Sequence, residues 1–168
     1  LAKSKELIRA VIVNAGCANC ATGQRGIDDA RETARLVAER LGCRTEQVLP
    51  ISTGAIGAHL PMDKIRGGIP ALVDALDAQG ADAFARGIMT TDTVRKLHSA
   101  TFATPSGEAR VTGAAKGAGM IHPNMATMLG FLATDAVLPR AADELLRDVV
   151  DRSFHRVTVD GDTSPNDT

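Results

Sequence analysis

The sequence has no tryptophan and no tyrosine, and four phenylalanines are all that remain of the large aromatics. That removes the stacking platforms on which single-stranded nucleic acid is usually held. Cysteine is scarce. Three residues make an odd, sparse set that gives no disulfide framework and suits a reducing compartment. Charge of one sign is also missing: the formal net charge is −1, so no global field steers the chain to a polyanion or an anionic membrane. No apolar run approaches the ~20 residues of a membrane span. The first residues do not form a charged-then-apolar leader, and the expectation is a cytoplasmic protein with neither nucleic acid nor membrane as partner. The chain opens on Leu1 rather than Met and stops in the polar "SPNDT", which reads as a piece of a longer protein.

What is present suits a globular α/β chain. Its 168 residues amount to one partial domain, and a hydrophobic share of 44% suffices for a core. "LIRAVIVNAG" (residues 7–16) reads as a buried strand and "CANCATGQRG" (17–26) as a glycine-punctuated loop. Ala30, Ala34, Val37 and Leu41 recur at helical spacing over 28–41, with Asp28 and Asp29 at the favourable N-terminal end and Gly42 after the last turn. "QVLPIS" (47–52) gives a second strand and hence a β-α-β order. Residues 62–76 read as a helix broken by Gly67, Gly68 and Pro70, and 82–89 as a short helix. Residues 99–113 read as a hairpin around Pro105-Ser106-Gly107. A strand is expected in 127–136, a helix over 139–154 and a last strand in "HRVTVDGD" (155–162).

Several constellations invite chemistry. Cys17-Ala18-Asn19-Cys20 has C-x-x-C spacing, but Cys43 is single, His59 is remote and a glycine loop follows, so two small buried loop cysteines are expected rather than a redox pair or metal site. "DGDTSPND" lacks the turn glycine and closing Glu of a calcium loop. The glycines at 113, 117 and 119 match no nucleotide fingerprint, and no metal is expected. "STG" (52–54), directly after a strand, can present a backbone N–H to a developing oxyanion; it is also ordinary loop composition. "MTTDT" (89–93) crowds hydroxyls around one carboxylate, either to bind a polar ligand or to cap and turn the chain. In "KGAGMIHPNMATML" (116–129), Lys116 precedes a tight turn and Thr127 stands before an apolar run. A threonine becomes a nucleophile when a backbone cut before it frees its own α-amine as base.

Taken in order, "NAGCANCATGQRG", "ISTGAIGAHLPMDK", "IMTTDT", "GAAKGAGMIHPNMATMLGFLATDA" and "SFHRVTVDGDTSPNDT" resemble the ornithine acetyltransferase (glutamate N-acetyltransferase) family of arginine biosynthesis over almost the whole chain. Cys20 and Pro165 depart from the pattern, where Ala and Thr are expected. The resemblance implies a four-layer α/β/β/α sandwich. It implies a precursor that cuts itself at Ala126-Thr127 into an α part (1–126) and a β part (127–168), which stay associated, as a heterotetramer in the full protein. The new N-terminal Thr127 would carry acetyl from N-acetylornithine to glutamate, with Thr53 and Gly54 as oxyanion hole and Thr90 and Lys116 as substrate contacts. No resident cofactor is implied, although some members accept acetyl-CoA as donor. Further substrate contacts would lie beyond Thr168. Two other readings stay open: a related N-terminal-nucleophile peptidase, and an inactive fragment.

Overall fold

The computed structural model describes residues 8–124, 128–138 and 142–164. It is a mixed α/β chain that divides into two compact units, residues 1–80 and 81–168.

The first unit is built on a β-α-β crossover. Strand β1 (Ala10–Cys17) pairs in parallel with β2 (Val48–Ala55), with Ala10 opposite Val48 and Gly16 opposite Gly54. Helix α1 (Gly23–Leu41) connects them. It begins a turn and a half before the expected start, so Asp28 and Asp29 lie inside the helix and its first turn carries no acid. The start is fixed by packing, not propensity. Asn19 Nδ2 donates to the Gly26 carbonyl at 2.8 Å, and Thr22 Oγ1 donates to Asn19 Oδ1 at 3.0 Å. A β-carbon at position 26 would sit 1.9 Å from Thr22 Oγ1. The other end is as expected: Gly42 caps α1 in the left-handed region with φ of 65°.

Helix α2 (Met62–Asp74) runs unbroken through Pro70, contrary to expectation. Proline inside a helix costs about 3 kcal/mol. Against that, Ile69 is buried in the core made by Ala34, Val37, Ala38 and Val48, with Ile65 and Val73 packed on its edge. Burying one such side chain contributes about 2 kcal/mol, so the apolar stripe Ile65-Ile69-Val73 holds the helix together. At the surface Arg66 grips Glu32 of α1 through Nε and Nη2, at 2.8 and 2.9 Å.

The second unit is an antiparallel sheet of order β3-β4-β5: Lys96–Thr104, Gly107–Lys116 and Leu129–Thr134. The expected hairpin forms β3 and β4, closed by Pro105-Ser106, with Thr104 Oγ1 donating to the Gly107 carbonyl at 2.7 Å. The strand expected in 127–136 is β5. Helix α3 (Ala81–Gly87) sets Phe84 edge-on to Phe131 of β5, ring centroids 5.0 Å apart. Gly130, on the opposite face of β5, lies against the Phe154 ring, 3.3 Å from where its β-carbon would be. Helix α4 (Ala142–Arg152) leads to that phenylalanine.

The last expected strand does not form. Phe154–Arg156 is a 3-10 turn, and residues 157–164 enter no ladder. The alternation of "RVTVD" mimics a strand, but Val159 N–H donates to the Ile121 carbonyl at 3.0 Å and the Asp160 side chain folds onto Met120 and Ile121.

Candidate active site

The residues singled out in the sequence fall into both units. In the first, Thr53 and Gly54 stand at the C-terminal end of β2, the end at which open α/β sheets usually bind ligands. Thr53 is fully buried. Gly54 has φ of +130°, and a β-carbon there would lie 2.3 Å from the Gly16 carbonyl carbon and 2.6 Å from the Cys17 nitrogen. Only glycine permits this approach, which brings the backbones of β1 and β2 together just where the strands end. Below it, Ser52 Oγ donates to Asn14 Oδ1 at 2.6 Å, and Asn14 Nδ2 donates to the Cys17 carbonyl at 2.8 Å. Ala18 N–H donates to the Ala55 carbonyl and Gly57 N–H to the Cys20 carbonyl, both at 2.9 Å. The two strand ends are therefore stitched into a preorganised backbone, the property an oxyanion-stabilising turn needs.

Cys17 and Cys20 are free thiols within that stitching. Cys17 is buried and its Sγ donates to the Ala58 carbonyl at 3.1 Å. Among the described residues no group of three His, Cys, Asp or Glu is placed to hold a metal.

In the second unit Lys116 ends β4 and is 1% exposed, opposite Leu129 of β5. Thr90 lies in the loop after α3. The two are joined through a residue to which sequence reasoning gave no role of its own, Asp92. Its carboxylate accepts the N–H of Thr90 at 3.2 Å and that of Gly117, next to Lys116, at 2.9 Å. Lys96 Nζ closes an ion pair on the same group. Burial raises the Asp92 pKa, but the Lys96 hydrogen bond, the two backbone N–H groups and the Lys96 charge outweigh it and hold the carboxyl below its ordinary range. The signal was in the sequence: Asp92 is the one carboxylate of "MTTDT". Which backbone donors it would serve was not.

Ala126 and Thr127 lie outside the described residues. His122, beside that position, has Nδ1 3.1 Å from the Pro123 carbonyl. Among the described residues no helix is long and apolar enough to cross a membrane.

Against known proteins, the arginine biosynthesis bifunctional protein ArgJ of Geobacter sulfurreducens is 54% identical over 161 residues, 95% of this chain and 41% of that protein. The ArgJ protein of Thermus thermophilus is 55% identical over 161 residues, again 95% of this chain and 40% of its own. The chain thus spans about two-fifths of the length of these curated relatives. Among solved structures, the Bacillus halodurans ArgJ protein is 42% identical with a TM-score of 0.61, covering 71% of this chain and 61% of that one. Ornithine acetyltransferase from Mycobacterium tuberculosis, complexed with ornithine, is 37% identical with a TM-score of 0.60, covering 73% and 62%. The ArgJ family model matches residues 1–168, and the chain belongs to the ArgJ family.

Proposed function

We propose that the full-length protein carrying this chain is an ornithine acetyltransferase that moves the acetyl group of N-acetylornithine to glutamate in arginine biosynthesis. The observation that carries the reading is the 37% identity to an ornithine acetyltransferase solved with ornithine bound. Thr127 is the nucleophile. In maturation its Oγ–H attacks the Ala126 carbonyl, the C–N bond breaks as the proton passes to nitrogen, and an ester links Ala126 to Thr127. Water hydrolyses that ester, leaving the Ala126 carboxylate and a free Thr127 amine.

In turnover the amine takes the Thr127 hydroxyl proton while Oγ attacks the acetyl carbonyl. Collapse expels ornithine with that proton on its amine and leaves an acetyl ester on Thr127. The glutamate amine then attacks the ester, and the proton it loses returns to Thr127. Thr53 and the Gly54 backbone stabilise the oxyanion in both half-reactions. Lys116 supplies the cation for the carboxylate common to both substrates, and Thr90 is a second substrate contact. Acetyl-CoA serves as an alternative donor, with no resident cofactor. The parts 1–126 and 127–168 stay associated, pairing as a heterotetramer in a four-layer α/β/β/α sandwich; the β4-β5 ladder, one strand on each side of the cut, supports that association.

The test is intact mass after brief incubation of the full-length protein with N-acetylornithine. One acetyl group is expected on the peptide beginning at Thr127, and none after Thr127→Ala, which also abolishes splitting. Thr53→Ala is expected to slow transfer by about 100- to 1000-fold. A Thr127→Ala protein that still splits, or an acetyl group mapping elsewhere, refutes the mechanism.

A further inference from the structure

One carboxylate outside the residues assigned above ties together the chain on either side of Ala126-Thr127. Asp160 Oδ2 accepts the Met120 N–H at 2.7 Å, and Oδ1 accepts the Ile121 N–H at 3.1 Å. Oδ1 also accepts the Asp162 N–H at 3.2 Å, which fixes the carboxylate on its own turn. Two further bonds run to the same spot: Val159 N–H and Thr158 Oγ1 donate to the Ile121 carbonyl at 3.0 and 3.1 Å. Ile121 is 1% exposed, so the tie is anchored in packing as well as in hydrogen bonds. Met120 is held at φ of +56°, in the left-handed region that a long side chain occupies only when its surroundings enforce it.

We infer that Asp160 is a positioning residue for the Ala126-Thr127 cleavage, fixing through its two oxygens the peptide groups that lead into the scissile bond. The inference rests on the acetyl-threonine reading above. Attack by a neighbouring hydroxyl on its own peptide carbonyl needs the backbone held in a strained, near-attack arrangement, and a freely relaxing approach segment would release it. A carboxylate can accept on both oxygens at once. Asparagine offers one oxygen and an NH2, which would face a backbone N–H donor with another donor. Asp160 acts only through backbone N–H groups. Met120 and Ile121 precede the cut and Asp160 follows it, so the same contacts become a link between the two product chains.

The experiment follows precursor splitting with time after in vitro synthesis of the full-length protein, comparing the parent with Asp160→Asn. The transfer rate is measured as well on a version made as two separately encoded chains, the second starting at Thr127. The expected result is splitting about 10- to 100-fold slower in Asp160→Asn. Its melting temperature and the transfer rate of the two-chain version are expected to stay close to those of the parent. If Asp160→Asn splits at the parental rate, the proposal is overturned while the acetyl-threonine reading stands. If splitting, melting temperature and two-chain transfer all fall together, the role is structural and the proposal is overturned too. A parent that never splits refutes the underlying reading and the proposal with it. Should Asp160→Asn fail to fold, Thr158→Val removes one bond of the same tie, and a several-fold slowing is expected there. An unchanged rate would count against the tie.

Discussion

Asp92 and Gly117 stand 25 residues apart in the chain, yet the carboxylate of one accepts the backbone N–H of the other at 2.9 Å. Through this bond and the matching one from Thr90, the loop after α3 and the end of β4 share a single acceptor. The side chain of Asp92 is fully buried and Lys96 partly exposed, so the negative charge is the harder of the two to leave without a partner.

Asp92→Ala should therefore destabilise the fold by about 3 kcal/mol and release the backbone at Thr90 and Gly117, which under the proposed function weakens substrate binding in the full-length protein. Urea unfolding and the KM for N-acetylornithine check the two effects. The pH dependence has a definite sign. The folded-state pKa of Asp92 lies below the ordinary 3.8, so its contribution is present in full above about pH 5 and is lost as pH falls through the depressed value. The gap in unfolding free energy between the parent and Asp92→Asn should stay constant from about pH 8 to 5 and close below about pH 4.

Gly54→Ala places a β-carbon against the backbone of Gly16 and Cys17, where nothing can swing aside. A loss of at least about 2 kcal/mol is expected, and under the proposed function transfer activity falls further because the end of β2 that carries Thr53 moves. Gly16→Ala is the internal control. Its φ is +106°, but a β-carbon there meets nothing within 4 Å, so about 1 kcal/mol of backbone strain is the whole effect. Equal losses in the two variants would show that close approach is not what position 54 requires.

Gly26→Ala tests the opposite of what helix propensity says. Alanine should gain about 1 kcal/mol in a helix. Here its β-carbon would overlap Thr22 Oγ1 and come within 2.6 Å of Asn19 Oδ1, breaking the latch that starts α1. Net destabilisation is expected in thermal melts, and pairing it with Thr22→Ala should recover part of the loss.

That latch also marks where the sequence could be read and where it could not. The core of β1, most of α1 and the β3-β4 hairpin were legible because apolar periodicity and turn residues are local signals. The first turn of α1 was not, because "GQRG" carries two glycines and becomes helical only through Asn19 and Thr22. Pro70 pointed to a break that the buried Ile69 overrides. The "RVTVD" alternation pointed to a strand where the chain instead spends its hydrogen bonds on Ile121. Of the candidate site, Thr53, Gly54, Thr90 and Lys116 were visible as motif residues. Asp92 and Asp160 also stood in motifs, but the backbone N–H groups they serve at Gly117, Met120 and Ile121 lie 25 to 40 residues away and leave no spacing to find.

The two units also differ in how far along the chain their strands must search for partners. In the sheet of the second unit each strand pairs with its neighbour in sequence, β3 with β4 and β4 with β5. The parallel pair of the first unit closes only after a whole helix has intervened, with Ala10 waiting for Val48. Short-range closure is fast and long-range closure slow. Of the two, the unit that comes later in the chain is thus the one whose sheet zips sooner, and in pulsed hydrogen exchange the amides of Lys96–Lys116 should gain protection ahead of those of Ala10–Cys17.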